Sequence, residues 1–223
     1  ADGDALALDT EQLVVLLEEL AKRFPRLTRV SCYATPANIL RKSVEELKRL
    51  HSHKLTLLYL GIESGADRIL RKVSKGATQR GIAEALHKAH DAGVKVSGTV
   101  ILGLGGTAHW QEHIEGTLAL LNIAPLNQLS TLQLTLDETI EEEFYRRYGT
   151  LCQMPDDHAI LREQQQLITG LTPPQPLIFR SNHASNALAL AGNLPRDRQR
   201  LLAEIDEALQ GARRLRPHHA RGM

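Results

Sequence analysis

The chain has 223 residues, 42% of them hydrophobic and 24% charged, and a formal net charge of +1. That composition supports a sizeable globular core, and so even a charge balance recruits neither nucleic acid nor a membrane surface. The two cysteines, Cys32 and Cys152, lie too far apart for a disulfide framework or a CxxC metal site. No leader pattern or bilayer-length apolar run is read either, so a cytoplasmic setting is expected.

The first stretch, "ADGDALAL", lacks an initiator methionine and starts inside what reads as a structured motif, so a fragment is expected. "DTEQLVVLLEELAKRF" (9–24) predicts a helix capped by Asp9 or Thr10, with Leu13, Leu16, Leu17, Leu20 and Phe24 on one face. "LTRVSCYA" reads as a strand, and "SVEELKRL" as a helix opened by the capping box Ser43/Glu46. "LTLLYLGI" (55–62) is continuous and apolar, as strands buried on both faces are. A helix begins near Ala66, and another, "TQRGIAEALHKAHDAG", ends at Gly93. Then come the strand "VKVSGTVILG" (94–103), the helix "HWQEHIEGTLALLNI", the strand "LSTLQLTL" and the helix "ETIEEEFYRRYG". Beyond "LITGL", the Pro-rich "TPPQP" reads as a linker. The short strand "LIFRS", a polar loop "NHASNALALAGN" and a last helix from Pro195 follow. The basic tail "GARRLRPHHARGM" reads as a solvated end.

This alternation, helix first with four strands before residue 150, predicts an α/β fold of parallel strands joined by right-handed crossovers. In such folds the strand tips share one edge, where ligands bind. The tips carry Gly3 and Asp4, Tyr33, Glu63 and Ser64, Gly103 to Gly106, and Asp137. Carboxylates accept hydrogen bonds from ammonium groups and ribose hydroxyls, and glycines let a flat ring approach the backbone. Together the tips suggest a nucleoside site with an attached amine. Each has a plainer reading as well. Glu63 suits a first-turn helix acid, Asp4 a turn, Asp137 an N-cap, Tyr33 a half-buried aromatic, and "GLGG" a tight turn.

Three pieces in this order, "YLGIESG", "ILRKVSKG" and "AGVKVSGTVILGLGG", resemble the radical S-adenosylmethionine (radical SAM) enzymes. The likeness covers roughly residues 1–140 and is strongest to the Fe–S oxidoreductase group containing relatives of anaerobic coproporphyrinogen oxidase. It implies a partial (β/α) barrel, a truncated TIM-like sheet over residues 1–170 with a C-terminal appendage from 171 to 223. It also implies S-adenosylmethionine and a [4Fe–4S] cluster as cofactors, an electron donor such as flavodoxin or ferredoxin, and a small-molecule substrate. By position, Asp4 matches the acid that holds the cofactor's amino group. Glu63 matches the ribose-binding acid, with Ser64 beside it. Ile101, Leu102 and Gly103 match the adenine wall. The resemblance also points to Tyr33 and to His183, in "FRSNHASN", as substrate contacts, although the latter is equally a polar loop bonded to its own backbone.

Two departures stand out. Gly106 and Thr107 occupy the place of the family's acid after the fifth-strand glycine, and the CxxxCxxC cluster loop is absent. Iron–sulfur clusters are held by thiolates, so the cluster loop is expected upstream of Ala1. The fragment alone is expected to be inactive, with self-association through an exposed barrel edge. Two other classes compete. "GLGGTA" matches the dinucleotide fingerprint of an NAD(P)-binding oxidoreductase, and "HWQEH" sets His109, Glu112 and His113 in the H-x-x-E-H spacing of a zinc hydrolase.

Overall fold

The computed structural model describes residues 3–149 and 153–222, so Cys152 lies outside the described residues. Six strands form one open sheet in chain order: β1 (Val30–Ala34), β2 (Leu55–Glu63), β3 (Lys95–Leu102), β4 (Gln128–Gln133), β5 (Leu177–Ser181) and β6 (Leu190–Leu194). Strands β1 to β5 are mutually parallel, and β6 returns antiparallel to β5. Strict chain order with parallel pairing is the layout of a (β/α) barrel that has not closed. It puts the C-terminal tips of five strands along one edge.

Helices connect the strands: α1 (Thr10–Arg23), α2 (Pro36–Arg41), α3 (Val44–Ser52), α4 (Asp67–Lys72), α5 (Gln79–Asp91), α6 (Gly106–Leu121), α7 (Glu138–Tyr148), α8 (Asp157–Gly170) and α9 (Arg198–Leu209). Their starts are set by local chemistry. In the capping box the Ser43 hydroxyl accepts from the Glu46 N–H at 3.0 Å, and the Glu46 carboxylate accepts from the Ser43 N–H at 2.7 Å. Asp137 caps α7 by accepting from the Thr139 N–H at 2.9 Å. Two helices escape the apolar pattern. The short α2 is signalled only by Thr35 as N-cap with Pro36 in the first turn, and α8 by Asp156, which accepts from the Ala159 N–H.

One face of the sheet packs on the helices. Leu58, Leu60 and Ile62 of β2 are fully buried there with Val100 and Leu102 of β3 and with Ile82 and Leu86 of α5. Burying each such side chain contributes about 1.5–3 kcal/mol. The opposite face differs from the expectation of a strand buried on both sides. Leu55 and Leu57 are buried there, but Tyr59, nearer the strand tip on the same face, is 38% exposed. Helix α1 is corrected in the same way. Leu13, Val14 and Leu17 are buried, but Leu16, Leu20 and Phe24 are exposed; α1 packs against α3 with only part of its apolar stripe.

The C-terminal third also departs from the sequence reading. The loop expected at 182–193 contains β6, and β5 and β6 extend the same sheet. Leu171, Phe179, Leu201 and Ile205 join the one core, so the boundary near residue 171 falls inside a continuous layer. Pro195 precedes α9 by three residues and does not open it. The tail is docked. The Arg216 guanidinium donates to the carbonyls of His183 (3.0 Å), Ala184 (2.8 Å) and Asn186 (3.2 Å). Arg221 grips both carboxylate oxygens of Asp157 at 2.8 and 2.6 Å, which holds that acid well below the usual carboxylate range. Deleting residues 216–223 is predicted to lower stability by about 2 kcal/mol and to speed amide hydrogen exchange at residues 183–187. Unchanged exchange in that loop would contradict the docking.

Candidate functional site

On the face that bears Tyr59, alternate residues of neighbouring strands come side by side. The parallel register sets Tyr33 opposite Tyr59, Gly61 opposite Thr99, and Ile101 opposite Leu132. With Gly3, Asp4, Glu63 and Lys75 they line a cavity of about 650 Å³. A second cavity, of about 550 Å³, shares Glu63, Lys75, Ile101 and Leu132 and extends past Leu104, Gln133, Phe144, His183 and Ser185. Four separate segments thus bring Asp4, Tyr33, Glu63 and Ile101 to one wall. The Tyr33 and Tyr59 rings lie 5.6 Å apart at 41°, and Tyr33 is 61% exposed, so both offer an aromatic face to a ligand.

Glu63 sits where the sheet is irregular. Its φ is +60°, in the left-handed region, and the β2–β3 register shifts between Gly61 and Glu63. A bulge of this kind re-aims a side chain at a cost of about 1 kcal/mol for the left-handed residue. The carboxylate folds back over the strand, and its Oε1 receives a bond from Lys75 Nζ at 2.9 Å. Gly61 makes room for the pair, since a Cβ there would stand 2.2 Å from that oxygen. The Lys75 side chain, 21% exposed, was not anticipated from sequence; no pattern links it to a residue twelve positions earlier. Asp4 is already busy. Its carboxylate accepts from the N–H groups of Leu6 (3.0 Å) and Thr35 (2.7 Å) and from Asn38 Nδ2 (2.5 Å), so it pins the first segment to the tip of β1.

Ser64, Leu102 and Gly103 line neither cavity. Ser64 is fully buried and Leu102 points into the core; both belong to the layer that holds the wall, not to its surface. The Ser64 hydroxyl donates to His113 Nδ1 at 2.8 Å and accepts from the Ala66 N–H at 3.0 Å. His113 Nε2 in turn donates to the Ile101 carbonyl at 3.0 Å. Thr117, one turn further along α6, accepts from the Gly65 N–H at 3.0 Å. These contacts require α6 to lie against the turn after β2. The close approach depends on two glycines, because a Cβ on Gly65 would meet the Gly116 oxygen at 2.3 Å and one on Gly116 the Ala66 Cα at 2.8 Å. From the other side, buried Glu163 of α8 accepts the Gly103 N–H at 2.8 Å and stands 3.5 Å from His113 Nε2.

The two rival readings do not survive this geometry. His113 is fully buried and spent on Ser64 and Ile101, while His109 and Glu112 are partly exposed and face each other at 3.8 Å, so HWQEH gathers no ligand set. Among the described residues no group of three His, Cys, Asp or Glu could hold a metal. The glycine turn is closed to a dinucleotide: the Thr107 N–H is spent on the Gln153 carbonyl, and the space beside Gly106, Trp110 and Pro155 holds only about 150 Å³.

The Radical SAM superfamily profile matches residues 2–121, over half of the chain. The chain belongs to the radical SAM superfamily. Coproporphyrinogen III oxidase from Escherichia coli, a radical SAM enzyme, superposes over 75% of this chain and 38% of its own with a TM-score of 0.61 at 19% identity. Methylornithine synthase does so over 88% and 50% with a TM-score of 0.54 at 12% identity. At such identities the likeness is one of fold. A stretch of 58 residues is 36% identical to a Methanocaldococcus jannaschii protein that bears the name of a methylthiotransferase; it is 26% of this chain and 13% of that protein. This radical SAM chain therefore spans half or less of each relative. No helix among the described residues is long and apolar enough to cross a membrane.

Membership implies S-adenosylmethionine and an iron–sulfur cluster. The residues present fit the first: the cavity offers carboxylates, aromatic faces and an aliphatic wall to an adenosyl group. They do not fit the second. Cys32 is the one described cysteine, half-buried, and burial followed by the nearby Asp4 pushes its thiol up to about 11, so a thiolate ligand is disfavoured there.

The buried pair behind the wall is neutral in this radical SAM fold. Burial lowers His113 from 6.5 to about 4 and raises Glu163 from 4.5 to about 8. The imidazole's contribution to stability is full above pH 6.5 and lost as pH falls toward 4. The carboxyl's is full below pH 4.5 and lost as pH rises toward 8. Between pH 4.5 and 6.5 the two slopes oppose; above 6.5 only Glu163 acts. Stability should thus fall by about 2 kcal/mol between pH 6.5 and 8, and this decline should vanish in Glu163→Gln. Urea unfolding at both pH values checks it, and the same decline in wild type and variant would contradict the assignment.

Proposed function

We propose that this chain is the cofactor-binding part of a radical SAM enzyme, and that the cavity over β1 to β4 receives the adenosyl group of S-adenosylmethionine. The observation that carries the reading is the convergence of Asp4, Tyr33, Glu63 and Ile101, from four separate segments, on one cavity of about 650 Å³. Bound S-adenosylmethionine, reductively cleaved at a [4Fe–4S] cluster, would supply a 5′-deoxyadenosyl radical that abstracts hydrogen from a substrate. Cluster ligation is not the work of Cys32, and the electron would come from a donor such as flavodoxin or ferredoxin.

The chain's own residues bind and orient. Glu63 accepts hydrogen bonds from the ribose hydroxyls, and Lys75 holds that carboxylate aimed. Ile101 and Leu132 supply the flat apolar wall for adenine. Asp4 has donors on both oxygens already; a carboxylate has about four lone-pair sites, so it retains capacity for an ammonium group. Tyr33 closes the cavity at the β1 edge, and His183 faces the neighbouring cavity where a substrate would lie. The edge of β1 is free to pair among the described residues, and self-association through it belongs to the same reading.

Isothermal titration with S-adenosylmethionine tests the proposal. The wild-type chain should bind, and Glu63→Gln should weaken binding about tenfold, the effect of losing one charge-assisted hydrogen bond. Equal affinity in the two proteins, or no binding by the wild type, would overturn it.

A further inference from the structure

The second cavity has a one-sided hydrogen-bonding inventory. Lys75 Nζ spends one proton on Glu63 and keeps two. His183 Nδ1 accepts from the Ser185 N–H at 3.2 Å and lies 2.9 Å from the Ser185 hydroxyl, which leaves Nε2 as the nitrogen that donates into the cavity. Two acceptors border the cavity, and each already has a partner. Gln133 Oε1 receives the Ala187 N–H at 3.2 Å and its Nε2 donates to Asp157 at 3.0 Å. Glu63 is held by Lys75 on the border shared with the first cavity. The Thr135 hydroxyl, which has no protein partner among the described residues, can serve either way. The Ser74 hydroxyl can likewise serve either way, and the Ser185 hydroxyl lies against His183 Nδ1 at 2.9 Å; the remaining wall is apolar: Val73, Leu134 and Phe144, with Leu104 behind.

From this inventory we infer that the second cavity is the substrate site, and that it takes an organic acid, a carboxylate on an apolar body, with Lys75 and His183 receiving the carboxylate. The inference rests on the proposed cofactor site next door, because ribose hydroxyls there would take up the acceptor capacity that Lys75 leaves on Glu63. The Glu63–Lys75 pair is internally neutral, so the lysine can turn its free protons to the acid without abandoning Glu63. An amine is selected against, since it would bring a donor to two donors. At about 550 Å³ the cavity is of the size that encloses a small organic ligand. The docked tail contributes as well: Arg216 grips the carbonyl of His183 itself and so fixes the imidazole's loop at the cavity rim.

Three probes with one apolar body separate the alternatives: 4-phenylbutyrate, 4-phenylbutan-1-ol and 4-phenylbutylamine, titrated into the full chain with and without saturating S-adenosylmethionine. The acid should bind at least tenfold tighter than the alcohol, and the amine more weakly than either. Lys75→Met should bring the acid down to the alcohol's affinity, with circular dichroism showing that the variant is folded; the comparison of probes on wild type needs no variant. Alcohol and acid binding alike would overturn the inference. So would competition between the acid and S-adenosylmethionine, which would mean that Lys75 serves the cofactor's own carboxylate. If the acid binds with the expected selectivity but S-adenosylmethionine does not bind at all, the cofactor assignment fails while the acid site stands.

Discussion

The bond from the buried His113 ring to Ser64 on one side and to the Ile101 carbonyl on the other is the constraint around which the candidate site is built. It ties the tip of β2 to the tip of β3 through a helix that lies behind both. An imidazole is suited to this position because its two nitrogens can accept at one end and donate at the other, in line. The cost is full desolvation of a polar ring, which is tolerable only if the ring is neutral and both nitrogens are satisfied. Both conditions hold, and burial keeps the proton off the second nitrogen down to about pH 4. Because Glu63 directly precedes Ser64 in this anchored turn, the left-handed backbone that aims its carboxylate is held from behind.

The sheet therefore divides its labour by face. Side chains at one set of alternate positions, such as Leu58, Leu60 and Ile62, seal the helix layer. The intervening positions, Tyr59, Gly61 and Glu63, look onto the open side with their neighbours from β1, β3 and β4. Period-two alternation turns an ordinary core strand into the floor of a ligand cavity without disturbing the core beneath it. The irregular features, the bulge at Gly61 to Glu63 and the glycine contact between Gly65 and Gly116, sit where the chain leaves this regular pattern.

Much of this was legible in the residues. The alternation of periods gave the parallel strands, and the capping box at Ser43 and the N-cap at Asp137 fixed where two helices begin. The order of "YLGIESG" and "VILGLGG" identified the family. Position at a strand tip selected Glu63 and Asp4, and the family resemblance added Ile101; the three do share a cavity. What was hidden depends on contacts between distant segments. Ser64 reads like its neighbour Glu63, yet adjacent residues of a strand end face opposite ways, and Ser64 went to the buried side. Lys75 lies outside any regular element, and only folding returns it to Glu63. Helix α2 is too short to show an apolar period, and β6 was masked by the polar residues around it. The tail looked solvated because its arginines reveal their carbonyl and carboxylate partners only in three dimensions.

The protonation state of His113 tests the central claim most directly. Long-range proton–nitrogen correlation spectra of the imidazole should show a neutral ring protonated on Nε2 that does not titrate between pH 8 and 5. A ring protonated on Nδ1, or one that takes up a second proton near pH 6.5 as a free histidine does, would mean that the bridge between the two strand tips does not exist.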